Sequence, residues 1–340
     1  MGLVANLKER IFRRGIRRTL KRTRNRLFHR VTVKKLRKAY GQLELPDGAV
    51  VCVHAMLSGL GHLVGGPPVV FRALREAVRD CTIMMPNFPV AETMEKHLAA
   101  DPVFDRDTTP SMSGLLSETL RHEPGALRGY HPTHACVALG PQSHALIDGT
   151  ETADTPFGDN STYGRFSARD DAYLLLLHTN NTSYVHRLQE IVDMPNLFRP
   201  GSRPAKWKDQ NGEIRTTDVR VHYPRIPLFV ILPGDTPDAR QYVWFPDYAC
   251  PFPDFNVERM EQVLPSRNAK EFLFGRQQEL VDAGIMRVAR VGNASILAIH
   301  VKPYTERMVA DLRQSLSQFA ADYDIEKLEA EQKQGLLRQL

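Results

Sequence analysis

Hydrophobic positions along the 340-residue chain fall into short apolar runs separated by stretches of helical period, and that alternation sets the expected fold class. GAVVCVHAML (Gly48–Leu57) is β-branched and apolar, with polar His54 near its end, which is the pattern of a buried strand. In GGPPVVFRALREAVRD, Pro67 and Pro68 open a helix whose apolar face is Val70, Phe71, Leu74 and Val78. CTIMMPNF (Cys81–Phe88) is a second strand, stopped at Pro86. A strand, a helix and a strand in so short a span predict a parallel α/β arrangement. Polar Asp101–Pro110 predicts a loop, Gly114–His122 a short helix, and HACVALG and YLLLLH two further buried strands.

Beyond these, Pro200–Asp218 is rich in Pro, Gly, Lys and Asp and predicts an exposed excursion, here bounded at 200–240. VRVHYPRIPLFVIL and YVWFPDYACPFPDF predict antiparallel strands with irregular connections. AKEFLFGRQQELVDAG reads as helix, RVGNASILAIHV as a last strand and TERMVADLRQSL as a C-terminal helix. No internal repeat or low-complexity tract interrupts the pattern. The expected organisation is a leader over 1–42, an α/β domain over 43–325 and a tail over 326–340.

Charge changes the picture at one end only. Residues 1–40 hold fifteen Lys/Arg against the single Glu9, a local +14 within a chain total of +6, so the other 300 residues carry −8. Leu3, Leu7, Ile11, Phe12, Ile16, Leu20, Leu27 and Phe28 recur near helical spacing, with arginines on the other face. Such a basic amphipathic helix suits an anionic membrane surface. The same pattern also fits a helix packed on the domain or on a second subunit, which leaves a homodimer open. Nucleic acid is disfavoured, because no aromatic stacking pattern or reader motif accompanies the charge. Asn6 stands where a myristoylation signal needs Ser or Thr. Hydrophobic residues at 42% and charged residues at 25% are ordinary for a globular protein with a large core. Cys52, Cys81, Cys136 and Cys250 have no metal-binding spacing, so no metal is expected. Without a secretory signal or an apolar run of spanning length, the expected location is cytoplasmic, with the leader at the inner membrane face as an option.

Several segments in fixed order resemble one family. VCVHAMLSGLGHLVGGPPVVFRALREAV, TTPSMSGLLSETLRHEPGALRGYHPTHA, DTPFGDNSTYGRF and LLLLHTNNTSYVH are similar to motifs of the aminoglycoside 3-N-acetyltransferase (antibiotic N-acetyltransferase) family, from about Val50 to Phe198 and more faintly to the C-terminal helix. The resemblance implies a central mixed, largely parallel sheet with helices on both faces, to which the basic N-terminal helix is an addition. It also implies acetyl-CoA as co-substrate and an amine on an amino sugar as acceptor.

Transfer of an acyl group from a thioester to an amine needs a base for the amine proton, and histidine titrates near working pH. By resemblance that base is His186, which closes the polar run after the strand; the plain alternative is that Asn181, Thr182 or Ser183 simply caps a helix there. Asp247, in YVWFPDYAC, is the expected orienting carboxylate, whereas Asp193 reads as structural. His131 and His134 in HPTH are candidates for the oxyanion or the acceptor. Ser111, Ser113 and Gly114 open a helix with hydroxyls and a glycine, and with Ser58, Ser161 and Arg165 form the expected coenzyme contacts. Asn180 and Gln189 are the expected acceptor contacts.

Three departures accompany the match: Ala55 and Met56 replace small hydroxyl residues, Thr179 and Asn180 replace His-Asp, and Gln189 replaces a glutamate, with Glu190 one step on. They point away from polycationic drugs toward an amino sugar of a glycan or lipid-linked precursor. The alternatives are an acyltransferase for another acceptor, or a related scaffold that only binds or recruits.

Overall fold

The computed structural model describes residues 29–91, 93–179, 182–194, 197–222, 229–233, 240–244 and 277–322. Its strands are β1 (Arg30–Val31), β2 (Val50–Ala55), β3 (His62–Leu63), β4 (Thr82–Pro86), β5 (Val103–Phe104), β6 (Leu127–Arg128), β7 (Cys136–Leu139), β8 (Ala172–Leu177), β9 (Phe198–Lys208), β10 (Ile214–His222), β11 (Phe229–Pro233), β12 (Arg240–Trp244), β13 (Met286–Val291) and β14 (Ala294–His300). The helices are α1 (Val33–Gly41), α2 (Leu57–Leu60), α3 (Pro68–Ala77), α4 (Met94–Ala99), α5 (Leu115–Arg121), α6 (Ser143–Ile147), α7 (Thr162–Ser167), α8 (Tyr184–Ile191), α9 (Gln277–Asp282) and α10 (Val301–Asp322).

Seven strands form the central sheet in the order β13-β14-β8-β2-β4-β7-β6. The β2-α3-β4 unit is parallel as expected, and β8 joins β2 in parallel. The flanks are antiparallel: β4 pairs β7, β7 pairs β6, β8 pairs β14 and β14 pairs β13. The sheet is therefore mixed, with its parallel part confined to the three central strands. RVGNASILAIHV is not one strand but the second arm of a hairpin that turns at Gly292, where φ is +59°.

The central strands read as unbroken apolar runs because both faces are covered. Side chains alternate between two cores. Val50, Cys52, Leu174 and Leu176 face one core with Phe157, Tyr163, Tyr184 and Tyr304, while Val51, Val53, Leu175 and Leu177 face the other with Tyr40, Phe71 and Leu74. Helix α1 starts at Thr32, whose hydroxyl accepts from the Lys35 amide, and it buries Leu36, Ala39 and Tyr40. A domain boundary at residue 42 thus cuts through packed structure. The helix expected over the first 28 residues lies outside the described residues, as do Asn180, Asp247 and the first half of the segment from Ala269.

The expected excursion is a long hairpin. Strands β9 and β10 pair antiparallel from Ile214↔Lys208 to Arg220↔Ser202, and β5 joins the outer side of β9. Between Arg220 and His222 the partner strand steps from Ser202 to Phe198, four residues against two. That bulge re-aims the strand end, and Gly201 sits in it at φ +73°. No helix among the described residues is long and apolar enough to cross a membrane.

Candidate active site

Strands β2, β4 and β8 run parallel, so their carboxyl ends share one edge of the sheet, and antiparallel β7 begins there, with Cys136 opposite Pro86. Open α/β sheets place ligands at such an edge. It collects α2, the Phe88–Gly114 connection, the HPTH segment, Phe157 and the start of α8.

His186 lies in the first turn of α8, partly exposed. Its Nδ1 is 2.8 Å from the Gln189 side-chain oxygen, three residues on along the helix. With that oxygen accepting, the proton stays on Nδ1 and the lone pair on Nε2, the tautomer a base needs. The ring lies 5.2 Å from Phe157, and Phe157 is 5.2 Å from His134, which packs 4.6 Å from Phe88. Gln189, expected as an acceptor contact, is 5% exposed and bonded to His186. Among the described residues the Nδ1 partner is this amide, and Asp247 lies outside them.

His131 and His134, alike in sequence, differ in structure. The His131 Nδ1 accepts from the Thr133 and His134 amides (3.3 and 3.0 Å), and its Nε2–H donates to the Ala153 carbonyl (3.2 Å). Burial pushes its pKa down to about 4. Both His131 nitrogens are thus held by the main chain. His134 exchanges a 3.0 Å hydrogen bond with the Thr133 hydroxyl through Nδ1 and offers its ring to the aromatic wall beside His186.

The expected coenzyme residues separate in the same way. The Ser113 hydroxyl accepts from the Phe88 amide (2.9 Å), the Met112 amide donates to the Phe88 carbonyl (2.8 Å), and the Ser111 hydroxyl accepts from the Ser113 amide (3.1 Å). These bonds clip the 111–114 loop to the exit of β4. Arg128 is buried, and desolvation brings its pKa down to about 10. It anchors the other side of the loop by donating to the carbonyls of Arg106, Thr109 and Asn87. Gly114 is exposed at φ +103°, a conformation other residues rarely adopt. Ser58 is exposed on α2 at the same sheet edge. Ser161 is instead the N-cap of α7, its hydroxyl donating to the Gly158 carbonyl and accepting from the Gly164 amide (2.6 and 3.0 Å). Arg165 donates to the carbonyls of Ala145 and Asp148 at the end of α6. These two residues join helices and leave Ser58 and the 111–114 loop as the coenzyme candidates.

Three further groups, none assigned a role from the sequence, lie near this edge. His222, at the end of β10, is buried 5.0 Å from the His186 ring and nearly perpendicular to it. Its Nε2 lies 3.4 Å from Glu190 Oε1. Burial raises the Glu190 carboxyl to about 7, against hydrogen bonds from Thr155 and the Phe157 amide that favour its charged form. His178 ends β8 at φ +52° and packs on Gly59, where an added Cβ would fall 1.9 Å from the imidazole. Only the histidine itself signalled His178; nothing local in the sequence signalled that His222 would reach α8. Among the described residues no group of three or more His, Cys, Asp or Glu is placed to hold a metal ion.

Comparison with known proteins places the chain in a family. The chain is 34% identical over 160 residues to aminoglycoside N(3)-acetyltransferase VIII of Streptomyces fradiae, covering 43% of this chain and 56% of that protein. It is 30% identical over 182 residues to the type VII enzyme of Streptomyces paromomycinus, covering 48% and 62%. The matched region thus spans less than two thirds of the length of these relatives. The fold matches the crystal structure of aminoglycoside acetyltransferase AAC(3)-Xa with a TM-score of 0.62 at 24% identity, over 89% of this chain and 99% of that one. It also matches AAC-IIIb in a binary complex with CoASH, with a TM-score of 0.60 at 20% identity, over 84% and 97%. The sequence profile of the Aminoglycoside 3-N-acetyltransferase family matches residues 52–313, well over half of the chain, and the chain belongs to that family.

Proposed function

We propose that the chain transfers the acetyl group of acetyl-CoA to an amine of an amino-sugar acceptor of aminoglycoside type, with His186 as general base. The observation that carries the reading is the state of His186: Nδ1 is tied to Gln189 and Nε2 has no partner among the described residues, at the sheet edge where α/β folds bind ligands. The acceptor nitrogen attacks the thioester carbonyl carbon and gives its proton to Nε2. The C–S bond breaks, the sulfur leaves as thiolate, and the proton on His186 returns to it or passes to solvent. The relatives' printed activities and the CoASH and sisomicin complexes of structural neighbours support this choice of donor and acceptor.

The surface beside His186 fits an acyl-CoA arm. Met56 and Met112 are 49% and 52% exposed, at the exits of adjacent strands β2 and β4, and Leu115 is 65% exposed at the start of α5. Apolar side chains presented to solvent in this way match a pantetheine chain. Ser58 and the exposed backbone at Gly114 supply polar contacts nearby. Calorimetry with acetyl-CoA, followed by thiol release over a panel of amino sugars with His186→Ala alongside, tests the proposal. Micromolar coenzyme binding and a His186-dependent rate support it. Absence of acyl-CoA binding, or an undiminished rate in His186→Ala, overturns it.

A further inference from the structure

The wall behind His186 carries an acid group that the family resemblance did not assign. His222 reaches it because β10 ends in a bulge, and the Arg220 amide is fixed to the Asp154 carbonyl at 2.7 Å just before the bend. Its ring is held between Phe198 (5.0 Å), Phe157 (5.7 Å) and His186 (5.0 Å). The His222 Nε2 is buried without a hydrogen bond among the described residues, 3.4 Å from the Glu190 carboxylate, and both side chains are 6% exposed. A buried imidazole and a buried carboxyl this close share protons as one unit.

We propose that Glu190 and His222 form a one-proton pair that sets the basicity of His186, an inference that rests on the acetyl-transfer reading only for its catalytic consequence. With one proton the pair is neutral, as carboxylic acid with imidazole or as carboxylate with imidazolium. When that proton leaves to solvent, the pair is net negative about one ring diameter behind His186. The negative charge favours the imidazolium that His186 becomes on accepting the amine proton. Glu190 and His222 act through His186 and are positioning residues.

The neighbourhood leaves the pair in control of this charge. On the Glu190 side the facing groups are Arg187, whose guanidinium is held by Asp159 and the Phe157 carbonyl, and Asp154. On the His222 side they are His186, His134 and Arg220, all of which disfavour a proton on His222, as does burial. Arg220 is drawn away over the Phe198 ring, 4.0 Å from its centroid.

The test is NMR titration of the histidine Cε1–Hε1 signals in the intact protein, assigned with His186→Asn, for wild type, Glu190→Gln and His222→Gln. Glutamine at 190 retains an acceptor for the Phe157 amide, and glutamine at 222 avoids a cavity, so the two variants are independent checks if one is unstable. The expected result is a fall in the His186 midpoint of half a unit or more in Glu190→Gln, which removes the charge, and a smaller shift in His222→Gln, which keeps the carboxylate and changes only the pH at which it forms. Where turnover is measurable, kcat falls about tenfold or more at unchanged acetyl-CoA KM, and the acid limb of the pH–rate profile moves with the midpoint. A His186 midpoint identical in all three proteins overturns the proposal. Because the titration needs no coenzyme or acceptor, absence of acetyl transfer in the wild type would overturn the activity while leaving this result readable.

Discussion

The two edges of the central sheet differ in kind: one carries a groove lined by charged side chains, the other the imidazoles around His186. The edge at the amino ends of β2 and β4 has a groove of about 860 Å³ lined by Arg72, Arg75, Arg79, Glu76, Asp80 and Glu123 around Val69 and Leu139. Two of its arginines form exposed ion pairs: Arg72 with Glu76 in the groove, and Arg79 with Asp47 beside it. Such exposed pairs contribute little. The opposite edge gathers imidazoles, of which His186, His131 and His134 are each oriented by a hydrogen bond. Volume marks where something can fit, whereas desolvated groups with fixed protons mark where a reaction is supported.

The largest test of this contrast is His186→Ala, expected to lower kcat about 10²- to 10⁴-fold while leaving acetyl-CoA affinity unchanged, as read by calorimetry and thiol release. Next is acid sensitivity. His54 and His131 are buried with values pushed down to about 4, so their contribution is present above their unfolded value of about 6.5 and is lost as pH falls toward 4. Each contributes on the order of 3 kcal/mol to the pH dependence. Glu190, raised to about 7, works in the other direction, its contribution being complete below about 4.5 and lost as pH rises through 7. Thermal unfolding of Glu190→Gln should therefore fall more steeply than wild type between pH 7 and 4.5. A parallel curve would separate Glu190 from this balance.

Smaller effects sharpen the same contrast. Gly59→Ala drives a methyl into the His178 ring and should cost about 1–3 kcal/mol in urea unfolding. Gln189→Ala should lower kcat about tenfold by freeing the imidazole tautomer, with little change in stability. The least effect is expected across the sheet, where Arg75→Ala should change unfolding free energy by less than about 0.5 kcal/mol and turnover by less than twofold. A larger loss of turnover there would give the groove a function and break the contrast.

How far the sequence carried the fold depended on range. The apolar run at Val50–Val53 and the proline-started helix at Pro68 announce themselves, because burial on both faces and a missing amide are local facts. The direction of β7 against β4 is not local: four buried residues serve a parallel or an antiparallel neighbour equally well. In the site, His186 was singled out by the family resemblance, as the histidine that closes the polar run after β8. His131 and His134 could not be told apart, since which imidazole has both nitrogens occupied depends on a loop turn and on Ala153, about twenty residues away. His222 remained hidden because its place depends on pairing across a hairpin and on a bulge in the partner strand.

That bulge gives the hairpin a wider meaning. Side chains alternate faces along a strand, so surplus residues between Phe198 and Ser202 decide which β10 side chain looks at α8. Trimming or adding there would exchange His222 for a neighbour without altering the seven-stranded sheet. The hairpin thus sets which side chain faces α8 while the framework stays fixed.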